Sequence, residues 1–79
     1  PQTLKNVRVA DKAAVRKDSE VQALLAKLTQ RLGEKGRILL RESGTEPVVR
    51  VMAEAESKAE CDDCVNQMVA LIRQKGYEV

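Results

Sequence analysis

The stretch RILLRESGTEPVVRVMAEA, Arg37 to Ala55, decides the fold. Its two ends, Arg37–Glu42 and Val48–Ala55, are rich in Ile, Leu and Val, which suits a pleated, half-buried surface. In the second run Val49, Val51, Ala53 and Ala55 share one face, and Arg50, Met52 and Glu54 point the other way. Between the runs lie Ser43–Pro47, a turn-forming group in which Gly44 is the residue able to take positive φ. Pro47 lacks an N–H and fixes φ, so it suits the entry of a strand. The expectation is a hairpin with a hydroxyl-lined tip.

Side-chain parity sharpens that expectation. If Ile38 and Leu40 share the core face with Val49 and Val51, pairing Leu40 with Val51 also pairs Arg41 with Arg50 on the far face. Like charges directly across a ladder are unfavourable, so this pair asks for an anion between them. A phosphate fits: two guanidinium groups can grip its oxygens by forked hydrogen bonds. Ser43 and Thr45 add O–H donors, and backbone N–H groups around Gly44 can converge into a nest for an anion. Glu46 opposes a dianion unless it turns to an arginine or to a hydroxyl or amine of the ligand. The plain alternative is a turn between two solvated arginines.

Outward from the hairpin, two segments repeat one helical template. Val21, Leu24, Leu25, Leu28 and Leu32 lay an apolar stripe along a helix, with Ser19 and Gln22 as a capping box and Gly33 as the stop. Cys61, Cys64, Val65, Met68 and Ile72 repeat the spacing, with Ser57 and Glu60 as the box and Gly76 after the last turn. Val7–Ala10 is a weaker strand, and Asp11–Lys17 a polar connector with one helical turn. The order β-α-β-β-α gives an α+β fold, a small antiparallel sheet with two helices packed on one face.

Composition narrows the function. The 79 residues form a single domain, 1–79, whose size buries only roughly 60 to 65% of the unfolded surface, too little to enclose a deep cleft alone. A formal charge of +2 is too balanced to attract nucleic acid or an anionic membrane by bulk field, so an anion site here works by placement. With no Phe or Trp and one Tyr, the predicted strands carry none of the aromatics on which single-stranded nucleic acids stack. A standalone nucleic-acid-binding module is therefore the weaker alternative, and a standalone partner-binding domain with no ligand of its own is separated from an anion site by a phosphate titration. Apolar runs are far short of the ~20 residues that span a bilayer, and a cytoplasmic location is expected.

Cys61-Asp62-Asp63-Cys64 has the spacing of a redox pair or half a metal site. The neighbouring aspartates should raise the thiol pKa values, both cysteines lie on the apolar stripe, and no histidine is present to complete a zinc site. They read as core residues. Arg31, Lys35 and Arg37, with Arg73 and Lys75, lie near helix C-termini, where the macrodipole favours cations.

Arg41 to Glu54, RESGTEPVVRVMAE, closely resembles the signature of the C-terminal domain of the α-D-phosphohexomutases, and among them of the phosphoglucosamine mutases. Leu4–Ala10, the helix around Val21–Leu32 and the lead-in GRILLR share the resemblance, which thus covers essentially the whole chain. It implies a fold of the TATA-binding-protein type and a place as the C-terminal domain of a longer, multidomain mutase. In that family the loop holds the phosphate that is not reacting, while a phosphoserine in another domain exchanges phosphate with the opposite end of the sugar. Carried over, Arg41, Ser43, Gly44, Thr45 and Arg50 are the phosphate contacts and Glu46 a sugar or arginine contact. The implied reaction interconverts glucosamine 6-phosphate and glucosamine 1-phosphate through a bisphosphate. The same tip occurs in some phosphomannomutases and phosphoglucomutases, and the RVMAE continuation favours glucosamine. Catalytic serine, the acidic Mg²⁺ cluster and the sugar-recognition loop are not in these 79 residues, so the chain alone is expected to be inactive, with Mg²⁺ implied for the full-length enzyme only.

Overall fold

The computed structural model describes residues 1–79. Six elements follow in order: β1 (Gln2–Arg8), α1 (Lys12–Lys17), α2 (Ser19–Leu32), β2 (Arg37–Glu42), β3 (Val48–Glu54) and α3 (Lys58–Gln74), with a short 3₁₀ turn at Gly33–Lys35. The sheet order is β1-β3-β2, antiparallel throughout. β3, the most apolar strand, takes the centre, where both of its edges are paired.

The hairpin register is the one that parity demands. Leu40 pairs with Val51, Arg41 with Arg50, and Arg37 with Glu54. Val49, Val51 and Ala53 are fully buried beneath the helices, while Arg50 is exposed on the other side. β1 is longer and earlier than the sequence suggests. Its ladder with β3 runs from Gln2↔Glu54 to Arg8↔Val48, and Val9 makes only an isolated bridge to Glu78. As an edge strand β1 tolerates polar residues, and Thr3 and Lys5 turn to α3 instead of to apolar partners: Thr3 Oγ1 donates to Asp62 at 2.6 Å and Lys5 Nζ to Asn66 at 2.7 Å.

The helices cover one face. Val21 and Leu28 of α2 and Cys61, Cys64, Val65, Met68 and Ile72 of α3 are fully buried against Val7, Val9, Val49 and Val51. Each large aliphatic side chain so buried contributes about 1.5–3 kcal/mol. Leu24 and Leu25 are only partly buried, because α2 lies over the edge strand β2, where cover ends. α3 starts as its sequence indicates, with Ser57 Oγ accepting from the Glu60 N–H at 3.2 Å. At α2 the cap is Asp18 and not Ser19. The Asp18 carboxylate accepts from the N–H groups of Glu20 and Val21, a stronger, charge-assisted cap at a helix N-terminus. The connector also forms more than one turn: α1 runs for six residues behind an N-cap at Asp11, which accepts from the Ala14 N–H and seats Val15 in the core. Gly33 and Gly76 end α2 and α3 in the left-handed region at φ 61° and 82°. No helix is long and apolar enough to cross a membrane.

Candidate functional site

The β2–β3 connection is built from internal bonds that leave its tip free. Ser43 N–H donates to the Val48 carbonyl at 3.0 Å and closes the hairpin. Val48 N–H donates to the Glu46 carbonyl at 2.8 Å, a tight bend around Pro47. Ser43 Oγ accepts the Glu46 N–H at 3.2 Å. These bonds turn the chain without a left-handed residue. Gly44 does not have positive φ, contrary to the expectation from its position, because the Ser43 side chain and Pro47 make the bend in its place.

Two adjacent backbone donors remain. The N–H groups of Gly44 and Thr45 donate to nothing in the chain, and both residues are exposed. Ser43 differs from Thr45: it is 7% exposed and its oxygen serves the turn, so its remaining contribution is its own O–H proton. A Cβ added at Gly44 would have no atom within 4 Å, so the tip is open to an incoming group. Glu46 is exposed and forms no ion pair.

The arginines divide into two sets. Arg16, Arg31, Arg37 and Arg73 each meet a carboxylate, at Glu42, Asp63, Glu54 and Glu78 respectively. Arg8, Arg41 and Arg50 meet none, and of these Arg41 and Arg50 face each other across the ladder. With Arg37 they overhang a shallow hollow of about 250 Å³ on the open face, floored by Leu4, Leu39 and Met52. The structure thus brings Arg41 and Arg50 together at the base of the loop and sets Gly44 and Thr45 at its tip. Guanidinium groups without a carboxylate at the base of the loop, and unused N–H and O–H donors at its tip, are of the kinds that bind a tetrahedral oxyanion, while the hollow itself is lined by none of Ser43, Gly44 and Thr45.

Three further groups support this corner. Lys12 Nζ donates to the Ser43 carbonyl at 2.6 Å. Arg16 of α1 pairs with Glu42, which removes from the loop's base a carboxylate that would otherwise oppose an anion. Val9 N–H donates to the Pro47 carbonyl at 2.9 Å. None of these is visible in the sequence, since each joins segments 26 or more residues apart with no spacing rule between them. Arg37, which the sequence groups with the cations at the end of α2, instead lies on β2 opposite Glu54.

The cysteines stand apart from this site. Both are free and fully buried in the core, and burial pushes the Cys64 thiol pKa up. A raised pKa leaves little thiolate, the form that attacks or binds metal.

A family model for the C-terminal domain of phosphoglucomutases and phosphomannomutases matches residues 4–71. A phosphoglucosamine mutase of Lachnospira eligens is 53% identical over all 79 residues, and one of Bacillus subtilis 48% identical over 75 residues. The chain spans only 18% and 17% of those two proteins. Among solved structures, Aspergillus fumigatus N-acetylphosphoglucosamine mutase in complex with glucose 1,6-bisphosphate matches 98% of this chain and 16% of its own at a TM-score of 0.81 and 34% identity. The same enzyme in complex with GlcNAc-6P and magnesium matches at a TM-score of 0.77 and 36% identity.

Proposed function

This chain belongs to the family of C-terminal domains of phosphoglucomutases and phosphomannomutases, and from that premise we propose that it is the substrate-phosphate-binding domain, residues 1–79, of a phosphoglucosamine mutase. The full-length enzyme would interconvert glucosamine 6-phosphate and glucosamine 1-phosphate through a phosphoserine and a bisphosphate. In this reading Arg41 and Arg50 grip the phosphate that is not reacting, Gly44 and Thr45 donate their free N–H groups, and Ser43 and Thr45 their hydroxyl protons. Glu46, without an ion pair, is available to a hydroxyl or the amine of the sugar. Holding one end of the sugar orients the other for transfer, which lowers the barrier without any chemistry by this domain.

The observation that carries the reading is the pair Arg41 and Arg50, two cations placed directly opposite each other in register with no carboxylate on either. The glucosamine assignment draws on relatives that are phosphoglucosamine mutases. Magnesium, bound in the Aspergillus enzyme, does not fit the residues of this domain: nowhere do three His, Cys, Asp or Glu side chains converge on one point. Its place is assigned to the remainder of the enzyme, which would also be this domain's main partner.

The test is an amide NMR titration of the chain with glucosamine 6-phosphate, with glucosamine as the control lacking phosphate. Saturable shifts at Ser43, Gly44, Thr45 and the strand around Arg50, seen only with the phosphosugar and lost in Arg50→Ala, are expected. Equal responses to both sugars, or none up to tens of millimolar, a range equivalent to ~2–3 kcal/mol of binding, would remove the support for a preformed site.

A further inference from the structure

We propose that Lys12 is a positioning residue of the loop: by holding the Ser43 carbonyl it keeps the Ser43–Gly44 peptide turned so that the Gly44 N–H faces outward, toward the anion. This rests on the phosphate-binding reading of the same loop and adds to it a residue outside the RESGTEP stretch. Lys12 Nζ and the Ser43 carbonyl oxygen are 2.6 Å apart, across 31 residues of sequence. Both ends are sheltered, since Ser43 is 7% exposed and Lys12 is half-buried.

The argument follows from the geometry of a peptide unit. In a planar trans peptide the C=O and the N–H point in opposite directions, and the Ser43–Gly44 bond is trans. Anchoring the carbonyl of residue 43 on Lys12 therefore aims the N–H of Gly44 away from Lys12, where it meets no acceptor in the chain. Rotation of that unit by about 180° would replace a donor with a carbonyl oxygen and turn attraction for a phosphate into repulsion. Glycine at position 44 makes such a rotation sterically easy. The other loop bonds do not prevent it. Ser43 N–H on Val48 fixes the preceding peptide, and Glu46 N–H on Ser43 Oγ fixes the side chain. The bond from Lys12 is the one that reaches the Ser43 carbonyl, and as a charge-assisted bond it is stronger than a neutral one.

The mooring of Lys12 is itself local. It opens α1, whose N-cap Asp11 accepts from Ala14, and the preceding Val9 N–H is tied to Pro47 at the far end of the loop. The loop is thereby held to the β1–α1 connection at both ends.

Three variants of the 79-residue chain separate this role from a general charge effect: Lys12→Met, Lys12→Arg, and Lys17→Met, which removes an equal charge from an exposed position on α1. Without ligand, Lys12→Met should change the Ser43 carbonyl ¹³C shift and the Gly44 amide signal, and Lys17→Met should change neither. With glucosamine 6-phosphate, Lys12→Met should bind about tenfold more weakly at an unchanged melting temperature, and Lys12→Arg, which keeps a donor within reach, should recover most of the affinity. Unchanged Ser43 and Gly44 signals in Lys12→Met would overturn the proposal, as would an equal loss of affinity in Lys17→Met. If the native chain does not bind the phosphosugar, the phosphate reading fails, while the spectra without ligand still decide whether Lys12 holds the peptide. Should Lys12→Met not fold, Lys12→Arg decides: its folded spectrum must retain the native Gly44 position.

Discussion

Arg41 and Arg50 are cross-strand partners in an antiparallel hairpin, two exposed cations directly opposite each other with no carboxylate on either. A domain selected for stability alone would place a Glu or Thr at one of these positions, as it does four pairs along the ladder on the same face, where Arg37 faces Glu54 and its guanidinium lies 2.7 Å from the carboxylate. Opposite charges across a ladder stabilise by roughly 0.2–1 kcal/mol and like charges do the reverse.

Arg50→Thr should therefore raise stability by about 0.5 kcal/mol while removing most of the affinity for phosphosugar, a separation of the two properties in one residue. Urea denaturation and the ligand titration on the same variant measure both. A variant that loses stability and binding together would mean that the arginine serves the fold.

Much of this arrangement was legible in advance, and the reasons are local. Strand parity set the register of Arg41 against Arg50, because a slip by one residue would put Val49 and Val51 in water. The stripes of α2 and α3 followed from spacing, as did the Ser57 cap. Illegible were the features that depend on distant segments. Asp18 displaces Ser19 as the cap of α2 in the company of Tyr77 and Lys75, nearly sixty residues on. The polar half of β1 is a strand because β3 is there to pair with it. Gly44 is not left-handed because Ser43 and Pro47 already bend the loop. Lys12 reached the site only through the fold.

The glycines separate two kinds of requirement. Gly36 has an extended φ of −161° that any residue adopts, yet a Cβ there would lie 2.5 Å from the Glu54 carbonyl oxygen and 3.3 Å from both the Ala55 Cα and the Leu32 Cβ. Two of these neighbours are backbone atoms in the central strand or just beyond it, which cannot yield cheaply. Gly36→Ala should cost about 1–3 kcal/mol, as overpacking does. Gly44→Ala, with open space around it, should leave the urea midpoint unchanged and affect only the ligand titration. A neutral Gly36→Ala would show that the start of β2 moves freely.

The CxxC spacing in α3 should prove inert. Cys61 and Cys64 are fully buried, and burial raises the Cys64 thiol further from ionisation. Alkylation by iodoacetamide at neutral pH should follow global unfolding, with both thiols appearing together in urea. Cys64→Ser places a hydroxyl in the same apolar site and should destabilise by about 1–3 kcal/mol. Rapid labelling of the native chain, or a disulfide formed under mild oxidation without loss of structure, would contradict the core assignment.

Stability should fall at both ends of the pH scale through one cluster. Asp18 accepts from Tyr77 Oη at 2.6 Å, lies 2.9 Å from Lys75 Nζ and caps α2. The Tyr77 hydrogen bond, then that of Lys75, hold its carboxyl well below the usual carboxylate range. Asp62, through Thr3, and Asp63, through Arg31, are lowered in the same direction. For a depressed carboxylate the contribution is complete above the unfolded value of 3.8 and disappears as pH falls toward the folded value, so the melting temperature should drop below about pH 4. At the alkaline end the signs reverse. Lys75 is pushed up to about 12 from 10.5 by Glu20 and then Asp18, and Tyr77 is raised by Asp18, so their contributions hold below the unfolded values and vanish as pH climbs through the folded ones. Asp18→Asn should flatten both limbs at once, because it removes the charge that shifts Tyr77 and helps to shift Lys75. Melting curves of the native chain and of this variant across the pH range test it. An acid limb of equal steepness in Asp18→Asn would assign it to Asp62 and Asp63 instead.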